Sequence, residues 1–195
     1  MKRNLAAALV PVALSFTGCG SFYAEAEQPK ACIQLLTPQV FPVFPPGLPG
    51  APGTFDSVVD LGLSDALPDV IIGGSPDTHV LSFQSFTLTL QGAPGANLAW
   101  LTRLEIQAQS GTSTPVTLVD YVPGTAVSGA TLTVTPQNPG QNLIGLLRNG
   151  GLTLAVSGDY DPSLFPAGTT AVTASVSACF SAKVKKTLEE MINGN

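Results

Sequence analysis

The sequence predicts an all-β protein, a single β-sandwich, on three observations. Apolar and polar residues alternate with period two along a series of short stretches, clusters of Gly, Pro, Asn, Asp and Ser punctuate those stretches, and helical periodicity is confined to two short segments. The chain has 195 residues, of which 44% are hydrophobic and 11% charged, a content that supports one buried core in one domain.

The first element is not part of that domain. Lys2 and Arg3 precede Leu5 to Phe16, an almost wholly apolar run. About a dozen residues is the length of a secretory h-region and short of the roughly 20 that span a bilayer as a helix. Residues 1–18 therefore read as a signal peptide. The run ends in Phe16-Thr17-Gly18-Cys19, which resembles the lipobox of bacterial lipoproteins, with Phe16 where that motif favours Leu. The resemblance implies cleavage before Cys19, lipidation of Cys19 with acyl chains such as palmitate, and a mature chain anchored in the cell envelope. Gly20, rather than Asp, follows Cys19, and in the enterobacterial sorting pattern this points to the outer membrane. Ala24-Glu25-Ala26 offers the alternative of ordinary signal-peptidase cleavage after Ala26, which would release a secreted protein.

Export bears on the cysteines. With Cys19 lipidated or discarded, Cys32 and Cys179 remain as an even pair in an oxidising compartment, which predicts one disulfide; two buried free thiols are the alternative. Closing so long a loop would stabilise the fold by at most about 5 kcal/mol in the chain-entropy picture.

Residues 19–30 are polar and small, and read as a disordered, lipidated tether. The β-sandwich is placed at 31–182. Its first strand is Cys32 to Leu36, with Ile33 and Leu35 on one face and Cys32 on the other. Residues 37–55 carry six prolines and three glycines and predict an extended loop. Strands follow at Ser57 to Leu63, Val70 to Ile72 and Val80 to Gln91. In the last, Leu81 and Phe83 have one parity and Phe86, Leu88 and Leu90 the other, so a β-bulge is expected at Gln84-Ser85. Leu98, Trp100, Thr102, Leu104, Ile106 and Ala108 alternate with Arg103, Glu105, Gln107 and Gln109, which makes Trp100 a core residue. Further strands fall at Val116 to Val122, Ala130 to Thr135, Leu152 to Ser157 and Thr170 to Phe180. Cys179 lies off the apolar parity of its strand, as Cys32 does, so both suit the outer face of a sheet if the terminal strands pair. A short helix is expected near 141–148, where Leu143, Ile144 and Leu147 precede the stop signal Asn149-Gly150-Gly151. Residues 183–195 have Val184, Leu188, Met191 and Ile192 at helical spacing and read as a short amphipathic C-terminal helix.

A membrane barrel is disfavoured, because one Trp and three Tyr cannot furnish two aromatic girdles. Nucleic acid is excluded as a partner by charge: Lys+Arg 8 against Asp+Glu 13 gives −5, and loss of Lys2 and Arg3 leaves 6 against 13. Chemistry is sparse. His79, the single histidine, follows Asp77-Thr78 without a Gly-x-Ser-x-Gly elbow, and Gly73 to Asp77 reads as a turn. Asp56, Asp60, Asp65, Asp69 and Asp77, with Asp159 and Asp161 further on, supply carboxylates for calcium but no Asp-x-Asp-x-Asp-Gly loop. No CxxC or HxxxH spacing indicates a metal site, and no Gly-rich phosphate cradle is present.

The expectation is a lipid-anchored envelope protein, not an enzyme and without cofactors. Its role would be structural or binding, with the bilayer and an unidentified envelope protein as partners. A secreted hydrolase using His79 and Asp77, and a calcium-dependent adhesin, are the alternatives. The sandwich also loosely resembles the immunoglobulin-like modules of bacterial surface proteins, although Cys32, Trp100 and Cys179 are spaced too widely for the disulfide of that family.

Overall fold

The alternating stretches form nine strands and one helical turn among the residues described by the computed structural model: 23–35, 37–48, 50–62, 78–92, 97–111, 113–148, 151–166 and 168–187. In chain order these are β1 (Tyr23–Gln34), β2 (Gln39–Phe44), β3 (Gly53–Asp60), β4 (His79–Leu90), β5 (Leu101–Gln109), β6 (Val116–Tyr121), β7 (Thr131–Val134), α1 (Ile144–Arg148), β8 (Thr153–Tyr160) and β9 (Ala171–Thr187). The signal peptide, Cys19, the strand expected at Val70 to Ile72, Asp65, Asp69, Asp77 and residues 188–195 lie outside the described residues.

Every pairing between strands is antiparallel, and the partners are nested. β2 pairs with β9, β3 with β8, β4 with β7 and β5 with β6, so the chain from β2 to β9 is one long hairpin with β5–β6 at its tip. Rolled up, it gives two facing sheets, β2–β9–β4–β7 and β3–β8–β5–β6. That is a jelly roll. The expected sandwich is formed, with this strand order in place of the two-sheet order of immunoglobulin domains.

β2 joins the sheets. Gln39 to Pro42 pair with Ala171 to Ala174 of β9, whereas Val43 and Phe44 pair with Phe55 and Thr54 of β3. Pro42, which has no N–H to give to a ladder, sits where the strand changes partner. On the opposite side the sheet is nearly closed: beyond β7, the Gln137 N–H donates to the Leu118 carbonyl at 3.0 Å and its Nε2 donates to the Asp120 carbonyl at 3.1 Å. An unpaired sheet edge invites association, and this closure covers part of one. Between the sheets Phe41, Phe83, Phe86, Phe180, Leu104, Ile106 and Leu154 are fully buried, each worth about 2 kcal/mol of apolar transfer.

Bulges account for the phase changes. β4 and β9 shift register between Phe83 and Ser85, so Gln84 is the extra residue and both parities of β4 reach the core, as the alternation predicts. A second bulge, not expected, lies between Leu101 and Arg103. It leaves Thr102 exposed and turns Leu101 inward, which corrects the inward placement of Thr102. A third places Leu118 and Val119 of β6 both in the core.

β1 continues in line with β2 along the same edge of β9, its partner over Tyr23 to Gln34. The 17 residues of β9 span about 55 Å at roughly 3.3 Å per residue. Cys32 lies directly opposite Cys179, with Cα atoms 3.9 Å apart, and the two form a disulfide. Both are off the apolar parity, as expected: Ile33 packs against the core from the other face of β1.

Three expectations are corrected. Residues 23–30 are strand rather than disordered tether, residues 183–187 are strand rather than helix, and the loop expected at 37–55 contains β2 and the start of β3. The first two share a cause. Glu25 and Glu27 lie opposite Lys185 and Lys183, and the Lys183 Nζ meets the Glu27 carboxylate at 3.4 Å. Each segment looks solvated alone, and together they pair as strands with Glu27 and Lys183 in contact.

The expected short helix is present as the single turn α1. Leu143, Ile144 and Leu147 are buried, and the Gly151 N–H closes on the Leu147 carbonyl at 3.1 Å with the left-handed φ of 94° that favours glycine. No helix among the described residues is long and apolar enough to cross a membrane.

Candidate binding site at the loop end

The rolled hairpin places the β2–β3, β4–β5, β6–β7 and β8–β9 connections at one end of the sandwich. The start of β1 and the end of β9 lie at the other. Of the residues in the four connections, 45–52, 91–100, 122–130 and 161–170, Asp161 alone is ionisable. The same end exposes apolar side chains: Leu48 is 72% exposed, Val122 66%, Leu164 56% and Phe44 48%.

Within it, the β4–β5 and β8–β9 connections enclose an open cleft of about 400 Å³. Trp100, Phe165, Leu164 and Val172 line it together with Gln91, Asn97, Thr169 and Thr173. Local hydrogen bonds shape both walls. Asp161 Oδ1 accepts from the Ser163 N–H at 2.8 Å and the Ser163 hydroxyl at 2.7 Å, and the Asp161 N–H donates to the Trp100 carbonyl at 2.8 Å. These two bonds from Ser163, the hydroxyl's first, hold the Asp161 carboxyl below its ordinary value of 3.8. On the facing wall, Asn97 Oδ1 accepts from the Ala99 N–H at 3.0 Å and the Leu98 N–H donates to the Gly129 carbonyl at 3.0 Å.

Below the cleft the aromatic rings are stacked edge to face. Trp100 and Phe165 are 5.1 Å apart at 87°, Phe55 and Trp100 6.0 Å at 85°, and Phe41 and Phe55 6.2 Å at 89°. Two glycines make room for them. Phe55 is the cross-strand partner of Gly158, and Tyr160 that of Gly53; each ring lies over the glycine opposite, where a Cβ would collide with it.

Elsewhere, the sequence candidates separate. His79 is buried at the start of β4, with Nδ1 2.8 Å from the Thr78 hydroxyl, and Asp77 lies outside the described residues. Asn142 holds this corner together: Nδ2 donates to the His79 carbonyl at 2.9 Å, while Oδ1 accepts from the Leu81 N–H at 3.0 Å and the Ile144 N–H at 3.1 Å. Asp60 Oδ1 accepts from the Gly62 N–H at 2.9 Å, a turn contact.

Asp56 and Asp159 line a 240 Å³ hollow on the outer face of the second sheet with Arg103 and Glu105. Arg103 bridges two carboxylates that face each other across β5 and β6, reaching Asp120 at 2.7 Å and Glu105 at 3.3 Å. The hydrogen bond from Arg103 lowers the Asp120 pKa, and the same bond raises that of Arg103. Among the described residues no group of three or more His, Cys, Asp or Glu is placed to hold a metal ion.

Sequence reasoning took Trp100 as core, and it is 95% buried, but missed the cleft on its remaining edge. The signal was present in the sequence: 86–102 and 162–182, which contribute the cleft walls, contain no ionisable residue except Cys179.

No family model and no curated protein matches the chain. Among solved structures it is similar to one described as "nora virus structure", at 16% identity and a TM-score of 0.31, over 80% of this chain. The chain spans 59% of the length of that one.

Proposed function

We propose that this protein is a lipid-anchored component of the cell envelope, held in the outer membrane through acyl chains on Cys19, with a structural or binding role rather than a catalytic one. One observation carries the reading. Tyr23 to Ala26 pair with Val184 to Thr187, so a cut after Ala26 would remove residues that have partners in the fold, whereas a cut before Cys19 keeps them all. Cys19 then lies four residues before Tyr23, a reach of at most about 14 Å. An anchor there sits at the end of β9 remote from the four connections. The loop end is directed away from the bilayer, about 55 Å along β9. Loops displayed by a rigid sandwich are the usual carriers of recognition.

Fractionation of cells producing the full chain and its Cys19→Ala variant tests the anchor. The native protein is expected with membranes, released by detergent and not by salt, and the variant is expected to leave the membrane fraction. A native protein found in the medium with Glu27 as its first residue would overturn the reading.

A further inference from the structure

We propose that the cleft between the β4–β5 and β8–β9 connections binds a neutral oligosaccharide. This deepens the binding role proposed above and is independent of the anchor. A volume of about 400 Å³ is within the ordinary range for small-ligand sites.

The lining selects the ligand class. A charged ligand would find no counter-charge: Asp161 is the one ionisable group in the loop connections, and its carboxylate is engaged by Ser163. A wholly apolar ligand would cover the polar residues Thr169 and Thr173, and what the Ser175 and Ala99 bonds leave of the Gln91 and Asn97 amides, without supplying hydrogen bonds. A peptide that binds by strand addition needs free backbone groups along a strand edge. The cleft opens where such groups are already taken: the Gln91 N–H donates to the Thr173 carbonyl at 2.8 Å and the Leu90 N–H to the Ala130 carbonyl at 2.9 Å. A sugar ring combines what remains, a C–H face for Phe165 and Leu164 and hydroxyls for the amides and threonines.

A second feature leads away from the cleft along the outer face of the first sheet. Thr131, Thr89 and Ser175 stand side by side on β7, β4 and β9, and Thr133, Thr87 and Ser177 form the next row. The rows are roughly 7 Å apart along the strands and neighbours within a row about 4.8 Å apart. Gln91 links this face to the cleft, since its Nε2 donates to the Ser175 hydroxyl at 2.8 Å. A glycan chain seated in the cleft can continue over these hydroxyls without meeting a charge.

Trp100 is the one tryptophan of the chain and lines the cleft, so its fluorescence reports occupancy. The disulfide-intact protein would be titrated with soluble hexasaccharides of glucose, mannose, galactose and xylose. Oligogalacturonate, a short-chain alkyl alcohol and a proline-rich peptide would serve as contrasts. Saturable quenching or enhancement by a neutral hexasaccharide is expected, weakened about tenfold or more in Leu164→Asp and in Thr169→Asp, exposed or partly exposed positions whose substitution leaves the core untouched. Unchanged melting temperatures would verify that both variants fold. Silence toward every neutral sugar, binding indifferent to both substitutions, or saturation by the peptide or the alcohol instead would each overturn the proposal. Silence in a protein that still fractionates with membranes would remove the saccharide and leave the anchor standing.

Discussion

The two ends of this sandwich are joined by the same strands, β2 to β9, and differ in the chemistry that holds them. At the far end the Lys183 Nζ of β9 meets the Glu27 carboxylate of β1 at 3.4 Å, and midway along β9 Cys32–Cys179 bonds the same two strands covalently. At the loop end a single ionisable residue serves four connections, and aromatic rings rather than ion pairs hold the framework. Charge pairing and the disulfide fix where the N-terminus leaves the domain. The uncharged end has surrendered surface charge that a soluble protein normally keeps at turns, and it exposes Leu48 and Leu164 there. On the proposed reading, the first end is held by the anchor and the other is presented.

The largest expected effect comes from opening the covalent link. Replacing Cys32 and Cys179 together by Ala should cost about 2 to 5 kcal/mol, measured by thermal or denaturant unfolding. If the ends are as different as described, hydrogen exchange should accelerate first in β1, while Trp100 fluorescence stays unchanged. Exchange rising equally at both ends would break the comparison.

The converse perturbation acts beneath the cleft. Gly158→Ala places a Cβ against the Phe55 ring and the Arg103 carbonyl, so a loss of about 1 to 3 kcal/mol is expected, together with altered Trp100 emission and an intact disulfide. Asn142→Ala returns to the far end: it removes the acceptor shared by the Leu81 and Ile144 amides, and about 1 to 2 kcal/mol should disappear without any change in emission.

The smallest effect is electrostatic. Asp120 and Asp161 have folded pKa values below the ordinary carboxyl value, because Arg103 and Ser163 respectively donate to the ionised forms. The stability they contribute is therefore present above about pH 4 and lost as pH falls through the lower folded values. Melting temperature followed from pH 6 to pH 2 should fall in that acid window, and less steeply in Asp161→Asn. A drop centred near neutrality would assign the titration to another group.

Much of the fold was legible because burial leaves a period-two trace. The phase change in Leu81, Phe83, Phe86 and Leu88 located the bulge at Gln84, and the off-parity positions of Cys32 and Cys179 were consistent with their bond on an outer face. What was not legible depends on partners remote in sequence. Val184 and Leu188 fit a helical period, yet Ala182 and Val184 alternating with Lys183 and Lys185 fit a strand equally well, and pairing with β1 on one side and β4 on the other decides. Nothing in the sequence singles out Gly53 and Gly158 until Tyr160 and Phe55 lie across them. The cleft was hidden for a similar reason: Trp100 and Leu164 on its two walls are 64 residues apart in the chain, and the absence of charge in both walls is informative only after they meet.

The most direct test of an anchored end opposite a presented one is the intact mass of the mature protein from its native membrane, before and after reduction with alkylation. The account predicts a chain beginning at Cys19 and carrying acyl groups, with no thiol alkylated until reduction frees Cys32 and Cys179. A lipid-free chain beginning at Glu27, or one whose cysteines alkylate without reduction, would contradict it.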